Sequence, residues 1–168
     1  MNQNATKFYS SKQEHAIANY LDWKVVPGSG ARDFHPGDIV SDVYLGECKT
    51  HTDVTNSIKF YTSVWTKIQK ESESQMKCPI LFVDNGTQTI ENTWCMMPKR
   101  NLNILPLECV VEPIIKYNKS GICIQHDYLK SVLHYSFIIV LDDFPNVPYS
   151  LVLMSVPTLK GILDGELS

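Results

Sequence analysis

The residues Pro79-Ile80-Leu81-Phe82-Val83 form an unbroken apolar run near the middle of the chain. A strand with one face in water alternates apolar and polar side chains, so a run without alternation needs cover on both faces. The fold must therefore place other elements above and below this strand, and the sequence around it supplies them. Ser11–Asp22 (SKQEHAIANYLD) predicts a helix with a serine cap and an apolar stripe of Ala16, Ile17, Tyr20 and Leu21. Lys24-Val25-Val26 predicts a short strand that ends at the loop Pro27-Gly28-Ser29-Gly30. Asp38–Val40 and Val43–Lys49 read as a hairpin that turns near Ser41-Asp42.

Thr52–Lys70 predicts the most amphipathic helix of the chain. Ile58, Tyr61, Val64, Trp65 and Ile68 recur at three- and four-residue steps, Thr52 or Asp53 supplies a cap, and Tyr61 and Trp65 read as core. Glu71–Lys77 is polar and reads as a loop. In the second half, Thr93–Met97, Ser136–Leu141 and Leu151–Met154 read as strands, and Pro98–Asn101 as a turn. Cys109–Ile115 is apolar but broken by Pro113, His126–His134 reads as a short helix, and Pro157–Leu163 as a final helix with proline in its first turn. The succession predicts an α/β fold, a central mixed β-sheet flanked by helices. With no internal repeat or linker, residues 1–168 read as one domain.

Composition narrows the function classes. No apolar run approaches the length that spans a bilayer, and the first residues (MNQNATKFYSSKQEH) are polar, so a soluble cytoplasmic protein without a membrane partner is expected. The five cysteines are widely spaced and show neither CxxC pairs nor zinc spacing, the usage of reduced core thiols. A net charge of −3 gives no global basic field, so any grip on nucleic acid must come from a local patch. Gly-Lys-Ser/Thr phosphate loops and nucleophile-elbow serines are both missing from the sequence.

The chemistry concentrates in HPGDIVSDVYLGECKTH. Period-two alternation points Glu47 and Lys49 to one face of their strand and Cys48 to the other. A tight turn brings Asp38 beside that face, so two carboxylates and an ammonium converge. This set suits a hard divalent cation and a water placed for attack on a phosphate. Glu-x-Lys alone is a common charge pair on exposed hairpins. What distinguishes this one is its order along the chain: Glu14 on the flank of an upstream amphipathic helix, then Gly28-Ser29-Gly30, Asp38, Glu47-Cys48-Lys49 and the helix through Trp65.

In that order the chain resembles the PD-(D/E)XK nucleases, and among them the archaeal and phage Holliday junction resolvases. The resemblance covers about residues 10–84, and the Pro-Asp dipeptide is loosened here to Pro36-Gly37-Asp38. It implies a restriction-endonuclease-like fold with its catalytic core in those residues; the C-terminal half lies beyond the resemblance and is read from its own elements as completing or extending the sheet. It implies catalytic roles for Glu14, Asp38, Glu47 and Lys49. Mg²⁺, or Mn²⁺, would be held by Asp38, Glu47 and the Cys48 backbone carbonyl, with Glu14 acting through water. Lys49 would hold the attacking water or stabilise charge on the phosphorane, leaving a 5′-phosphate and a 3′-hydroxyl. The implied partner is branched DNA such as a four-way junction, cut by a homodimer in the host cytoplasm if the source is viral. Two alternatives remain at this point. One is a restriction, repair or phage nuclease acting on linear or single-stranded DNA. The other is a binding or assembly protein that retains the nuclease fold without turnover.

Candidate DNA contacts are Ser29, Arg32 and His35 in the loop region, and Lys59 and Lys67 on the helix read over Thr52–Lys70, with Lys70 and Lys77 continuing its basic side. Lys99-Arg100 is a further basic pair. Asp42 is either a second acid or a turn residue, Asp33 and Asp53 are loop or cap residues, and His51, like His35, is a loop residue or a phosphate contact. His15, His126 and His134 show no partner spacing and read as structural or surface residues.

Overall fold

The computed structural model describes residues 3–27, 36–102, 110–111, 115–133 and 138–166. The apolar run lies inside strand β5 (Cys78–Asp84) of an eight-stranded mixed sheet, where every residue after Cys78 is buried. Ahead of it in the chain come helix α1 (Gln3–Leu21) and strands β1 (Lys24–Val25), β2 (Ile39–Val40), β3 (Tyr44–Lys49) and β4 (Ser57–Tyr61), then helix α2 (Thr62–Ser74). After it come β6 (Thr93–Pro98), β7 (Val110–Val111), β8 (Lys116–Asn118), β9 (Gly121–Gln125), helix α3 (His126–Leu133), β10 (Ile138–Leu141), β11 (Leu151–Ser155) and helix α4 (Val156–Leu163). The large sheet runs β1-β2-β3-β5-β6-β11-β10-β7, so strands from the second half extend the sheet begun by the first. β3 and β5 are parallel, with Lys49 level with Val83, and α2 lies on the crossover between them.

Alternation along β5 divides the core. Leu81 and Val83 face α2, with Trp65, Ile68, Trp94 and Met96. Ile80 and Phe82 face α1 and α4, with Ile17, Leu21, Cys48, Cys95, Val156 and Leu159. The two-sided cover required by the apolar run is thus supplied by a helix pair on one side, and on the other by α2 with a small second sheet, β4-β9-β8. Pro157 stands in the first turn of α4, where Ser155 Oγ accepts from the Thr158 N–H at 3.2 Å.

The reading of Thr52–Lys70 as one helix is corrected. Ser57–Tyr61 is a strand with alternating burial, Ile58 and Phe60 inward and Lys59 and Tyr61 outward, and α2 begins only at Thr62. Ile58 satisfies either period; pairing with β9, from Ser57 with Gln125 to Tyr61 with Gly121, decides for the strand. Thr52 and Asp53 therefore cap no helix, and Tyr61 is 44% exposed rather than core. At its other end α2 runs on to Ser74, through residues read as loop. α1 begins ahead of Ser11, so no serine caps it there, and its buried face is Gln13, Glu14, Ile17, Ala18 and Leu21, with Tyr20 outside.

Candidate active site

β2 and β3 pair antiparallel, with Ile39 opposite Gly46 and Val40 opposite Leu45. Continuing that register by one residue sets Asp38 opposite Glu47, on the sheet face that Lys49 shares. Asp38 is tied at three points. Its N–H donates to the Gly46 carbonyl and its own carbonyl accepts from Val26, both at 2.8 Å. Its Oδ2 accepts from the Cys48 N–H at 2.7 Å. Gly37 makes the approach to β2 possible. Its φ is +71°, and a Cβ there would stand 2.7 Å from Leu45 Cδ1, so neither the backbone conformation nor the space admits a side chain. The loosened Pro-Gly-Asp sequence thus has a local steric cause.

Glu47 is 2% exposed and carries two cations. Lys49 Nζ stands 2.5 Å from its Oε1, and Lys67 Nζ, from α2, stands 3.2 Å from each oxygen. One helical turn on, Glu71 Oε1 lies 3.8 Å from Lys67 Nζ while its Oε2 accepts the Gly37 N–H at 3.0 Å. The corner is therefore a chain of contacts from Lys49 through Glu47, Lys67 and Glu71 to the residue before Asp38. Burial raises the Asp38 carboxyl above its usual range and the charge of Glu47 raises it further, against the Cys48 N–H, Lys49 and Lys67. For Lys49 burial opposes the charge, but the charge and hydrogen bond of Glu47 outweigh it and hold the ammonium above its ordinary range. Lys49 is thus a proton-bearing cation at neutral pH.

The opposite face of β3 is differently furnished. Cys48 lies in the core under α1, and burial followed by the charges of Asp38, Glu14 and Glu47 pushes its thiol well up, so it stays an unreactive thiol. The buried face of α1 turns polar where it passes the end of β3: Gln13 Nε2 donates to the Lys49 carbonyl at 3.0 Å, and Glu14 is 8% exposed. Glu14 is thereby near Cys48, on the α1 side of the strand, while Asp38, Glu47 and Lys49 gather on the α2 side.

The structure brings Asp38, Glu47 and Lys49 together and adds Lys67 and Glu71. Lys67 was read from the sequence only as a DNA contact, yet it enters the corner itself. Glu71 was missed because its segment read as a loop; its i,i+4 spacing from Lys67 was the available signal. Asp84, at the end of β5, is a further buried acid that sequence reading passed over. Its Oδ1 accepts from Thr50 Oγ1 at 2.6 Å and from the Gly86 N–H at 2.7 Å, and burial raises its carboxyl. Lys59 stands on β4, ahead of α2 rather than on it, and Lys77 Nζ donates to the carbonyls of Ser41 and Asp42, at the turn between β2 and β3. Ser29, Arg32, His35, Asp33, Cys109 and His134 lie outside the described residues.

Among the described residues no group of three or more His, Cys, Asp or Glu side chains is disposed to hold a metal. Asp38 and Glu47 offer two carboxylates of hard oxygen, and among the described residues no group of His or Cys joins them to hold a metal. A donor set this small fits Mg²⁺ or Mn²⁺, which complete their shells with water and phosphate oxygens, and does not fit zinc. Among the described residues no helix is long and apolar enough to cross a membrane. No protein-family model matches the chain, and no curated protein and no solved structure matches it either.

Proposed function

We propose that this chain is a metal-dependent DNA endonuclease with a restriction-endonuclease-like fold, hydrolysing phosphodiester bonds in branched DNA. The observation that carries the reading is Asp38 opposite Glu47 across β2 and β3, with Lys49 on the same face. Asp38 and Glu47 would hold Mg²⁺ or Mn²⁺, together with the Cys48 carbonyl. The ion, when bound, supplies a polarised water and neutralises phosphate charge.

The protein groups do the rest. Lys49 is held as an ammonium by Glu47, so it donates rather than removes a proton. Its suited role is to bind a non-bridging phosphate oxygen and oppose the charge that grows there during attack. Lys67 shares Glu47 with it, and Glu71 tethers Lys67 to the backbone before Asp38, so α2 fixes the distance between the acidic and basic halves of the corner. Glu14 acts from the α1 side as a support of β3 or through water. Two paired cuts in a four-way junction require two such sites, so the active species would be a homodimer.

The experiment is cleavage of a synthetic four-way junction with Mg²⁺ and with Mn²⁺, beside the same sequence as linear duplex and as single strand. Wild type is expected to cut and leave 5′-phosphates, and Asp38→Ala and Lys49→Ala to lose about 10²–10³-fold. Equal activity in both variants would remove the site. Preference for linear or single-stranded substrate would keep the site and change the substrate. No cleavage, with no heat of Mn²⁺ binding, would leave the fold as a binding or assembly module.

A further inference from the structure

Away from the acid–lysine corner, the outer face of the small sheet has a chemistry of its own. Alternation sends Ile58, Phe60, Ile122 and Ile124 inward as core and turns Lys59, Tyr61, Gly121 and Cys123 outward. Cross-strand pairing puts these outward residues in two rows. Lys59 pairs with Cys123, and Tyr61 pairs with Gly121, which pairs in turn with Asn118. Between the rows lies an open depression of about 240 Å³, lined by Lys59, Tyr61, Asn118, Ser120, Gly121 and Cys123.

Three features of this depression point to a ligand. The floor is glycine by necessity: at φ +143° a Cβ on Gly121 would stand 2.0 Å from the Phe60 carbonyl oxygen, so the ground beside the Tyr61 ring stays flat. Among the described residues the lining holds no carboxylate. Lys59 has no acidic partner among the described residues, whereas Lys49, Lys67 and Lys160 each stand on one. Asn118 spends its Oδ1 on the Ser120 N–H and Oγ, at 2.9 and 2.6 Å, which leaves its amide N–H groups to donate. A half-exposed aromatic ring over a flat floor, a lysine with no described acidic partner and an outward amide suit a planar base with a phosphate beside it. The face is too polar for an apolar protein partner.

We propose that this face is a single-stranded DNA subsite: one base of the substrate strand stacks on Tyr61 above Gly121, and an adjacent phosphate pairs with Lys59. The proposal rests on the nuclease reading for its substrate and names the path of the strand. Tyr61 directly precedes α2, and Lys67 follows about 9 Å along that helix at 1.5 Å per residue. Both stand on the α2 side of the large sheet, so a strand leaving the corner meets this face within a few nucleotides. The contact reads a π-face and a phosphate, so it tolerates any sequence.

The test is the affinity of the full chain for fluorescent oligothymidylate in EDTA, which removes cleavage from the measurement. Tyr61→Ala and Lys59→Ala are each expected to weaken binding about tenfold. Tyr61→Phe should bind as wild type does. Lys59→Ala should also lower the slope of log affinity against log salt by about 0.7. Both substituted positions are outward-facing, so thermal melts of the three variants by circular dichroism should coincide with that of wild type. Failure of wild type to bind oligothymidylate, or unchanged affinity in both alanine variants, overturns the subsite. If the variants lose oligothymidylate but no DNA is ever cut, the subsite stands and the nuclease reading fails. If Asp38→Ala abolishes cleavage while Tyr61→Ala and Lys59→Ala bind as wild type does, only the subsite fails.

Discussion

The acid–lysine corner and the outer face of the small sheet lie on the same side of the large sheet and treat charge in opposite ways. In the corner every cation has an acid: Lys49 and Lys67 share Glu47, and Lys67 reaches Glu71. On the small sheet Lys59 stands in a depression with no carboxylate among the described residues of its lining. Internal pairing preorganises a group for chemistry, because the pair is oriented before a substrate arrives. An unpaired, solvated lysine contributes affinity instead, and loses it as salt rises. A net charge of −3 therefore says little about where such a chain can meet a polyanion.

The sharpest way to break this contrast is at the corner itself. Asp38→Ala or Lys49→Ala should lower cleavage about 10²–10³-fold at unchanged DNA affinity, whereas Lys59→Ala should weaken affinity and leave the chemical step alone. Single-turnover rates at saturating protein separate the two. A single-turnover rate that falls as far with Lys59→Ala as with Lys49→Ala would erase the distinction.

Gly37→Ala is expected next in size. It forces a side chain into a left-handed conformation against Leu45, and should cost about 1–3 kcal/mol in urea denaturation. Because Gly37 also donates to Glu71, the variant should lose cleavage beyond what its stability explains. A variant as stable as wild type would mean that the approach to Asp38 is more accommodating than its φ and contacts imply.

A smaller effect is expected at Asp84, the buried acid whose hydrogen-bond partners are a hydroxyl and backbone N–H groups rather than lysines. Its carboxyl is raised by burial, so ionisation costs stability. The stability kept while the carboxyl is protonated is fully present below the unfolded value near 3.8 and is lost as pH rises through the higher folded value. Asp84→Asn should therefore match or exceed wild type at neutral pH by up to about 1–2 kcal/mol, with the advantage shrinking as pH falls toward 4. Melts across that range check it. An advantage that grows on acidification would mean that Asp84 is held ionised by a favourable partner.

The smallest effect concerns Lys67 and Glu71. Their mutual pair is long and Lys67 is 55% exposed, so a double-mutant cycle in stability should give about 0.5 kcal/mol or less. The same cycle measured on cleavage should show larger coupling, if the pair serves to position Glu47.

How much of this was legible depended on whether local pattern and tertiary need agreed. At β5 they agreed: five apolar residues without alternation have one solution, and the strand is buried on both faces. At β2–β3 the turn and the period of two placed Asp38, Glu47 and Lys49 on one face. At 52–61 they conflicted, because Ile58 fits both periods and only β9, sixty-odd residues later, supplies the strand partner. The same distance hid the small sheet, since Ser57–Tyr61 has no strand neighbour nearby in the chain. Glu71 was hidden for a simpler reason: its polar surroundings resemble a loop, and only the docking of α2 reveals what that carboxylate touches.

By itself the sequence determined the periodic elements, the two-sided cover over Pro79–Val83 and the order of acids and lysine along the β2–β3 hairpin. These depend on steric and hydrophobic rules that act within a few residues. Long-range packing is what brings Lys67 and Glu71 into the corner, sets Glu14 across β3 from it, and turns Lys59 and Tyr61 outward on a second sheet. Those facts depend on which distant segments complete each other's hydrogen bonds and bury each other's apolar faces, and no local window contains both partners.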